Sequence, residues 1–139
     1  MMKKMIRTIL YPVLVIGITV GLFSVAYAAT NSNIDPEAKW AWSTNTGWIN
    51  FNPVCEGCEG VTVYPDHLEG YAWGENIGWI RLGTHTGGGA HTYRNTSATN
   101  YGVNRDSSGE LWGYAWGTNV GWIKFDPTDG GVTIEPANG

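Results

Sequence analysis

"GYAWGTNVGWIKF", Gly113–Phe125, holds four aromatic residues, three glycines and one asparagine in a set order. Nearly the same string stands at Gly70–Leu82 as "GYAWGENIGWIRL", and again at Lys39–Phe51 as "KWAWSTNTGWINF". The shared core is A-W-x-x-N-x-G-W-I, a phrase to be settled before anything else is argued, because self-similarity of this kind sets the architecture. Its first Trp falls at Trp42, Trp73 and Trp116, so the spacers vary while the phrase does not. Read locally, it is a hairpin. "GYAW" and "GWIKF" are short β-prone strands. The five residues between them, such as "GENIG" at 74–78, supply Gly where a tight loop needs positive φ.

A second phrase travels with the first. "GVTVYPDHLEG" (Gly60–Gly70), "YGVNRDSSGELWG" (Tyr101–Gly113) and "GGVTIEPANG" (Gly130–Gly139) share a Gly-Val strand followed by turn residues. Each unit then has three strands: b ("GYAW"), c ("GWIKF") and a ("GVTI"). The prediction is an all-β domain of antiparallel hairpin repeats, three units of three strands, in a compact sandwich or prism-like arrangement. The repeat is out of phase with the chain. It opens on strand b at Lys39–Trp42 and closes on strand a at Val132–Glu135. The last strand either pairs with the first and removes an edge, or pairs with another copy head to tail, which builds a filament.

This phrase resembles the tandem "YGV…G-x-L-x-GYAW-x-x-N-x-GWI-x-F" units of secreted or surface-exposed bacterial proteins. The resemblance spans nearly all of residues 39–135. It implies an extracytoplasmic β-rich module and no particular activity. The first copy departs from the pattern, with Lys39-Trp40 in place of Gly-Tyr and Ser43 in place of Gly.

The start of the chain reads differently. Lys3, Lys4 and Arg7 precede a mostly apolar run, Ile9–Val25, and Ala26-Tyr27-Ala28 fits a signal-peptidase site. The expectation is a signal peptide over 1–28, a tail over 29–38, and the repeat domain over 39–139. The alternative is an uncleaved anchor, since the run is long enough to span a bilayer. Cleavage would leave five Lys and Arg against twelve Asp and Glu, a net charge of −7. So acidic a domain would not take nucleic acid as a partner through phosphate neutralisation. It would also avoid anionic membranes. The expected location is exported: secreted, periplasmic or cell-surface.

Alternation along the strands places Leu111, Gly113 and Ala115 on one face and Trp112, Tyr114 and Trp116 on the other. If Trp116 faces Trp122, then Ile123 and Phe125 join the aliphatic face, which reads as core. The six motif tryptophans, Trp42, Trp48, Trp73, Trp79, Trp116 and Trp122, have two possible uses. Buried, each is worth up to ~4–6 kcal/mol at ~25 cal/mol/Å², an upper bound. That magnitude favours a structural use, a cross-strand Trp pair clamping each hairpin. Exposed, they are platforms for sugar rings in a repeated ligand site. Asn45, Asn76 and Asn119 either serve their own turn, by tolerating left-handed backbone, or hydrogen-bond hydroxyl groups.

Cys55 and Cys58 in "CEGC" are the chain's two cysteines and, in an exported protein, read as a small-loop disulfide. Half of an intersubunit metal site and a redox pair are the alternatives. His67, His85 and His91 lie dispersed in turns and in the insertion "GTHTGGGAHTYRNTSATN", and are expected to be exposed. That insertion is a second candidate region, since long loops tend to carry function. Asp126 and Asp129 lack the ligand count of a dedicated Ca²⁺ site. No nucleophile elbow, phosphate loop or HExxH is present. No cofactor, metal or catalytic residue is therefore expected. The sequence points to a non-enzymatic structural or adhesive module, with itself (by head-to-tail strand pairing) or surface glycans as partners. The alternative is a carbohydrate-binding module.

Overall fold

The computed structural model describes residues 32–55 and 57–134. The expected leader, 1–28, and the end of the last strand at Glu135 lie outside them. Among the described residues the fold is all-β, with ten strands: β1 Trp40–Ser43, β2 Gly47–Asn50, β3 Thr62–Val63, β4 Leu68–Glu69, β5 Tyr71–Gly74, β6 Gly78–Arg81, β7 Val103–Arg105, β8 Glu110–Gly117, β9 Gly121–Lys124 and β10 Val132–Thr133. There are ten rather than nine because the second strand b breaks at Gly70 into β4 and β5.

Each repeated phrase is a hairpin. The registers are Trp42↔Trp48, Trp73↔Trp79 and Trp116↔Trp122, with Ser43↔Gly47, Gly74↔Gly78 and Gly117↔Gly121 closing the loops. Three residues remain between each closing pair. The second glycine of each loop is left-handed: φ is 73° at Gly47, 74° at Gly78 and 78° at Gly121. The left-handed residue is thus the far member of the closing pair, a position glycine takes without steric cost. The first glycine has another purpose. A Cβ at Gly74 would strike the Ile77 side chain, and one at Gly117 would strike Val120. In the first hairpin Ser43 stands at this position, and the loop residue opposite is the smaller Thr46.

The hairpins add side by side. Strand c of one pairs with strand b of the next, through Ile49↔Gly74 and Asn50↔Trp73, then through Ile80↔Gly117 and Arg81↔Trp116. The run β1-β2-β5-β6-β8-β9 curls into half a barrel. The loops dock as well. Glu75 N–H donates to Trp48 O at 2.9 Å, and Thr118 N–H donates to Trp79 O at 2.9 Å. The Asn76 amide nitrogen lies 2.7 Å from where a Gly47 Cβ would sit, and that of Asn119 lies 2.9 Å from the same point at Gly78. The recurring Asn therefore reaches over the glycine of the preceding hairpin. It does not relieve a left-handed turn, because Asn95 is the only non-glycine with positive φ among the described residues.

Strand b turns a corner at Gly70 (φ 89°) and Gly113 (φ 101°), where a Cβ would meet the carbonyl of Gly60 or Gly102. Beyond each corner the strand leaves the six-stranded run and pairs with strands a: β4 with β3, and the start of β8 with both β7 and β10. A bridge between His67 and Asn104 links β4 to β7. The last strand thus pairs within its own unit, Val132 with Leu111 and Thr133 with Glu110. Among the described residues it does not reach the first strand, because the bent start of β8 offers it a nearer open edge.

The core lies on the concave face, as alternation predicted. Ala72 pairs with Ile80 and Ala115 with Ile123, beside Leu68, Leu82, Val103 and Leu111. In β8 the residues Leu111, Gly113, Ala115 and Gly117 are buried, while Trp112 and Trp116 between them are exposed.

Candidate binding face and a histidine cluster

The convex face carries the tryptophans. Within each hairpin the two Trp stand opposite each other at ring-centroid distances of 5.1, 5.0 and 4.9 Å, inclined 59–76°. A third ring joins each pair from two residues earlier. Trp40 meets Trp48 at 6.3 Å, Tyr71 meets Trp79 at 6.4 Å, and Tyr114 meets Trp122 at 6.1 Å. Trp40, Tyr71 and Tyr114 were not among the expected site residues, although strand alternation from the motif Trp was the signal for them.

The clamp is present without the burial expected of it. Trp42 is 59% exposed, Trp122 50%, Trp48 47%, and Trp73 and Trp116 40% each. Trp79 is half-buried beside Gly57, Cys58 and Glu59 of the cysteine loop. The cysteine loop borders Trp79, and Tyr101 with residues 95–98 borders Trp122, while the rings of Trp40, Trp42, Trp48 and Trp73 are left exposed. Three clefts open on the convex face. The largest, about 500 Å³, is lined by Trp40, Trp48, Trp73 and Glu75. A second, about 290 Å³, lies between Tyr71, Trp79 and the cysteine loop, and Glu59 also lines it. A third, about 400 Å³, lies between Tyr101, Tyr114, Trp122 and residues 95–98. Cys55 and Cys58 form a disulfide with Cα atoms 5.2 Å apart, closing that loop.

The insertion folds against β4 and gathers the chain's three histidines, contrary to their expected exposure. His67 is fully buried, and its ring centroid lies 5.6 Å from those of His85 and His91. The His85 and His91 rings stack at 4.0 Å. His67 Nδ1 lies 2.7 Å from Asp66 Oδ1 and Nε2 lies 3.0 Å from Glu69 Oε1. Glu69 also accepts the Gly87 and Gly88 N–H groups at 3.1 and 3.0 Å, and Asp66 accepts the His91 N–H at 2.8 Å. Tyr93 anchors the far end of the loop. Its ring fills the space that Gly83 and Gly102 leave without a Cβ, and its hydroxyl donates to Leu68 O at 3.0 Å.

The electrostatics follow. The His67 hydrogen bond holds the Asp66 carboxyl below its ordinary range, against the effect of burial. Burial pushes Glu69 upward, but the His67 hydrogen bond and the Gly88 and Gly87 donors together outweigh it, and the net shift is downward. Burial, reinforced by His85 and His67, pushes His91 down. Burial raises the Tyr93 phenol. Asp126 is engaged in the fold, where Oδ1 accepts the Gly113 N–H at 3.1 Å.

Comparison of the chain with family models, curated proteins and solved structures gives no match.

Proposed function

We propose that this domain is a non-enzymatic adhesive module, working outside the cell, that holds glycan on its convex tryptophan face. The observation that carries this is the exposure of the tryptophan row. Clustered exposed aromatic rings of this kind mark binding surfaces more often than singly scattered ones. Aromatic rings present a flat apolar body, and sugar rings have apolar faces of matching size. Glu75 beside the Trp40–Trp48–Trp73 cleft supplies an acceptor for hydroxyl groups. Glu75 and Glu59 lining two of the clefts, with the acidic balance of the chain, favour neutral over acidic glycans. Three clefts on one face add avidity along a polymer.

The test is tryptophan fluorescence titrated with neutral and acidic oligosaccharide panels. Neutral glycans should perturb the emission saturably, and Trp48→Ala should weaken binding at least about tenfold, ~1.4 kcal/mol. The same variant should stay folded, because about half of this ring is already in water. No perturbation by any sugar, or unfolding of Trp48→Ala, would sink the proposal.

A second reading has its own observation. The two ends of the hairpin row retain complementary halves of the internal docking contact. Thr44 and Asn45 occupy in the first hairpin the positions from which Thr118 and Asn119 grip the second hairpin. Gly121, at the other end, has no amide over it among the described residues; its nearest neighbour there is a Trp116 ring atom at 4.0 Å. Strand β1 of one copy fits strand β9 of another on the same pattern as β5 on β2, which supports head-to-tail self-association.

A further inference from the structure

We propose that His67, Glu69 and His85 bind a divalent transition-metal ion of the zinc class. Their ligand atoms, two imidazole nitrogens and a carboxylate oxygen, all lie within 4.8 Å of one another. A tetrahedral ion with ligands at ~2.0–2.2 Å holds those atoms roughly 3.3 Å apart. Glu69 Oε1 is 3.0 Å from His67 Nε2 and 3.6 Å from His85 Nε2, so the set brackets that spacing already. Two histidines and a glutamate form a donor set suited to zinc, and the borderline softness of imidazole excludes calcium and magnesium as preferred ions.

A second, independent observation is the setting of His67. Both of its ring nitrogens face carboxylate oxygens, Asp66 on one side and Glu69 on the other, in a ring with no exposed surface. Either neutral tautomer points one lone pair at a carboxylate. With Nδ1–H donated to Asp66, the Nε2 lone pair is aimed at Glu69, and the contact closes with a second ring proton or with a metal cation between them. A carboxylate on the far nitrogen is the arrangement that fixes the tautomer of metal-ligating histidines. The surroundings hold the ligands in place. Tyr64 stacks on the His67 ring at 4.7 Å, and the Gly87 and Gly88 N–H groups fix Glu69. His85 Nε2, which faces Gly88 O at 3.0 Å, exchanges that contact for the ion. A water would take the fourth position, as in open zinc sites. The ion would pin the insertion to β4.

The chain offers a clean test, because its three histidines all belong to this cluster. Produced without an added polyhistidine tag and stripped with chelator, it is titrated with Zn²⁺ against a chromogenic chelator, and with Co²⁺ by visible absorption. One ion per chain should bind at micromolar affinity or tighter, Co²⁺ should give the intense bands of a four-coordinate site, and Zn²⁺ should raise the Tm. His85→Ala lies on the half-buried loop and leaves the core untouched. It should weaken Zn²⁺ at least about tenfold with unchanged far-ultraviolet dichroism, and Glu69→Gln should do the same. No binding at about ten micromolar Zn²⁺, or affinity unchanged in both variants, would mean that His67 is only a charged bridge between two carboxylates, and would overturn the site.

Discussion

Ser43 stands where the other two hairpins have Gly74 and Gly117, and the difference has a local cause. In those hairpins the loop residue before the left-handed glycine is Ile77 or Val120, whose branched side chain occupies the space a Cβ would need. In the first hairpin that residue is Thr46, and a Ser is accommodated. Gly74→Ser should therefore destabilise by about 1–3 kcal/mol through overpacking. Ile77 is itself in the core, so Ile77→Thr costs stability alone, but the double variant should lose clearly less than the sum of the two single losses, a coupling that a double-mutant cycle by urea denaturation measures directly. Simple additivity of the two changes would show that the first glycine answers to something other than its loop neighbour. The corner glycines differ. At Gly70 and Gly113 both the positive φ and a facing carbonyl forbid a side chain, so no second change in a loop restores them.

Among the elements, the insertion is held to the sheet mainly by charge and hydrogen bonds, and the hairpins by apolar packing. The two should part company in acid. His91 has its pKa lowered on folding, so its neutral form stabilises the docked loop above the ordinary value of 6.5, and that contribution is lost as pH falls below it. Asp66 and Glu69 are also lowered, so their contribution is intact above their ordinary values of 3.8 and 4.5 and disappears as pH falls through the folded pKa values beneath them. The groups facing one another here are Asp66, His67, Glu69, His85, His91 and Tyr93. Amide protection factors of residues 84–93, taken against the intrinsic rate at each pH, should fall in two stages, first below pH 6.5 and again below about pH 4, while the amides of β5, β6 and β8 stay protected. Uniform loss of protection across loop and sheet at one pH would contradict this division.

For the whole molecule, lateral addition of hairpins leaves β1 and β9 each paired on one side only among the described residues. If copies join by the internal rule, Ile123 faces Ser43 and Lys124 faces Trp42 of the next copy, the pattern set by Ile80↔Gly117 and Arg81↔Trp116. Size-exclusion chromatography with electron microscopy should show concentration-dependent oligomers, and the double variant Thr44→Ala, Asn45→Ala should weaken them, since both side chains are exposed and the left-handed Gly121 is kept. A monomer at every concentration would rule out this mode of assembly and leave the glycan proposal standing.

The hairpins, their register, the Trp pairs and the Ala/Ile inner face were legible in the sequence because they follow from short-range rules: a side-chain period of two and glycine at the left-handed end of a tight loop. What the sequence left open depends on long-range placement. Burial of the tryptophans turns on whether another layer covers the convex face, and both faces of these strands are apolar enough to serve as core. The destination of β10 was settled by the bent start of β8, a consequence of Gly113 that matters only once β7 is in place. The histidines are far apart along the chain, and they meet because β4 pairs with β7 while Tyr93 anchors the insertion between Gly83 and Gly102. The sequence by itself determined the repeating unit. Tertiary structure alone decided which faces meet water and which distant side chains share a site, because those outcomes depend on how units pack and not on the local pattern within any one of them.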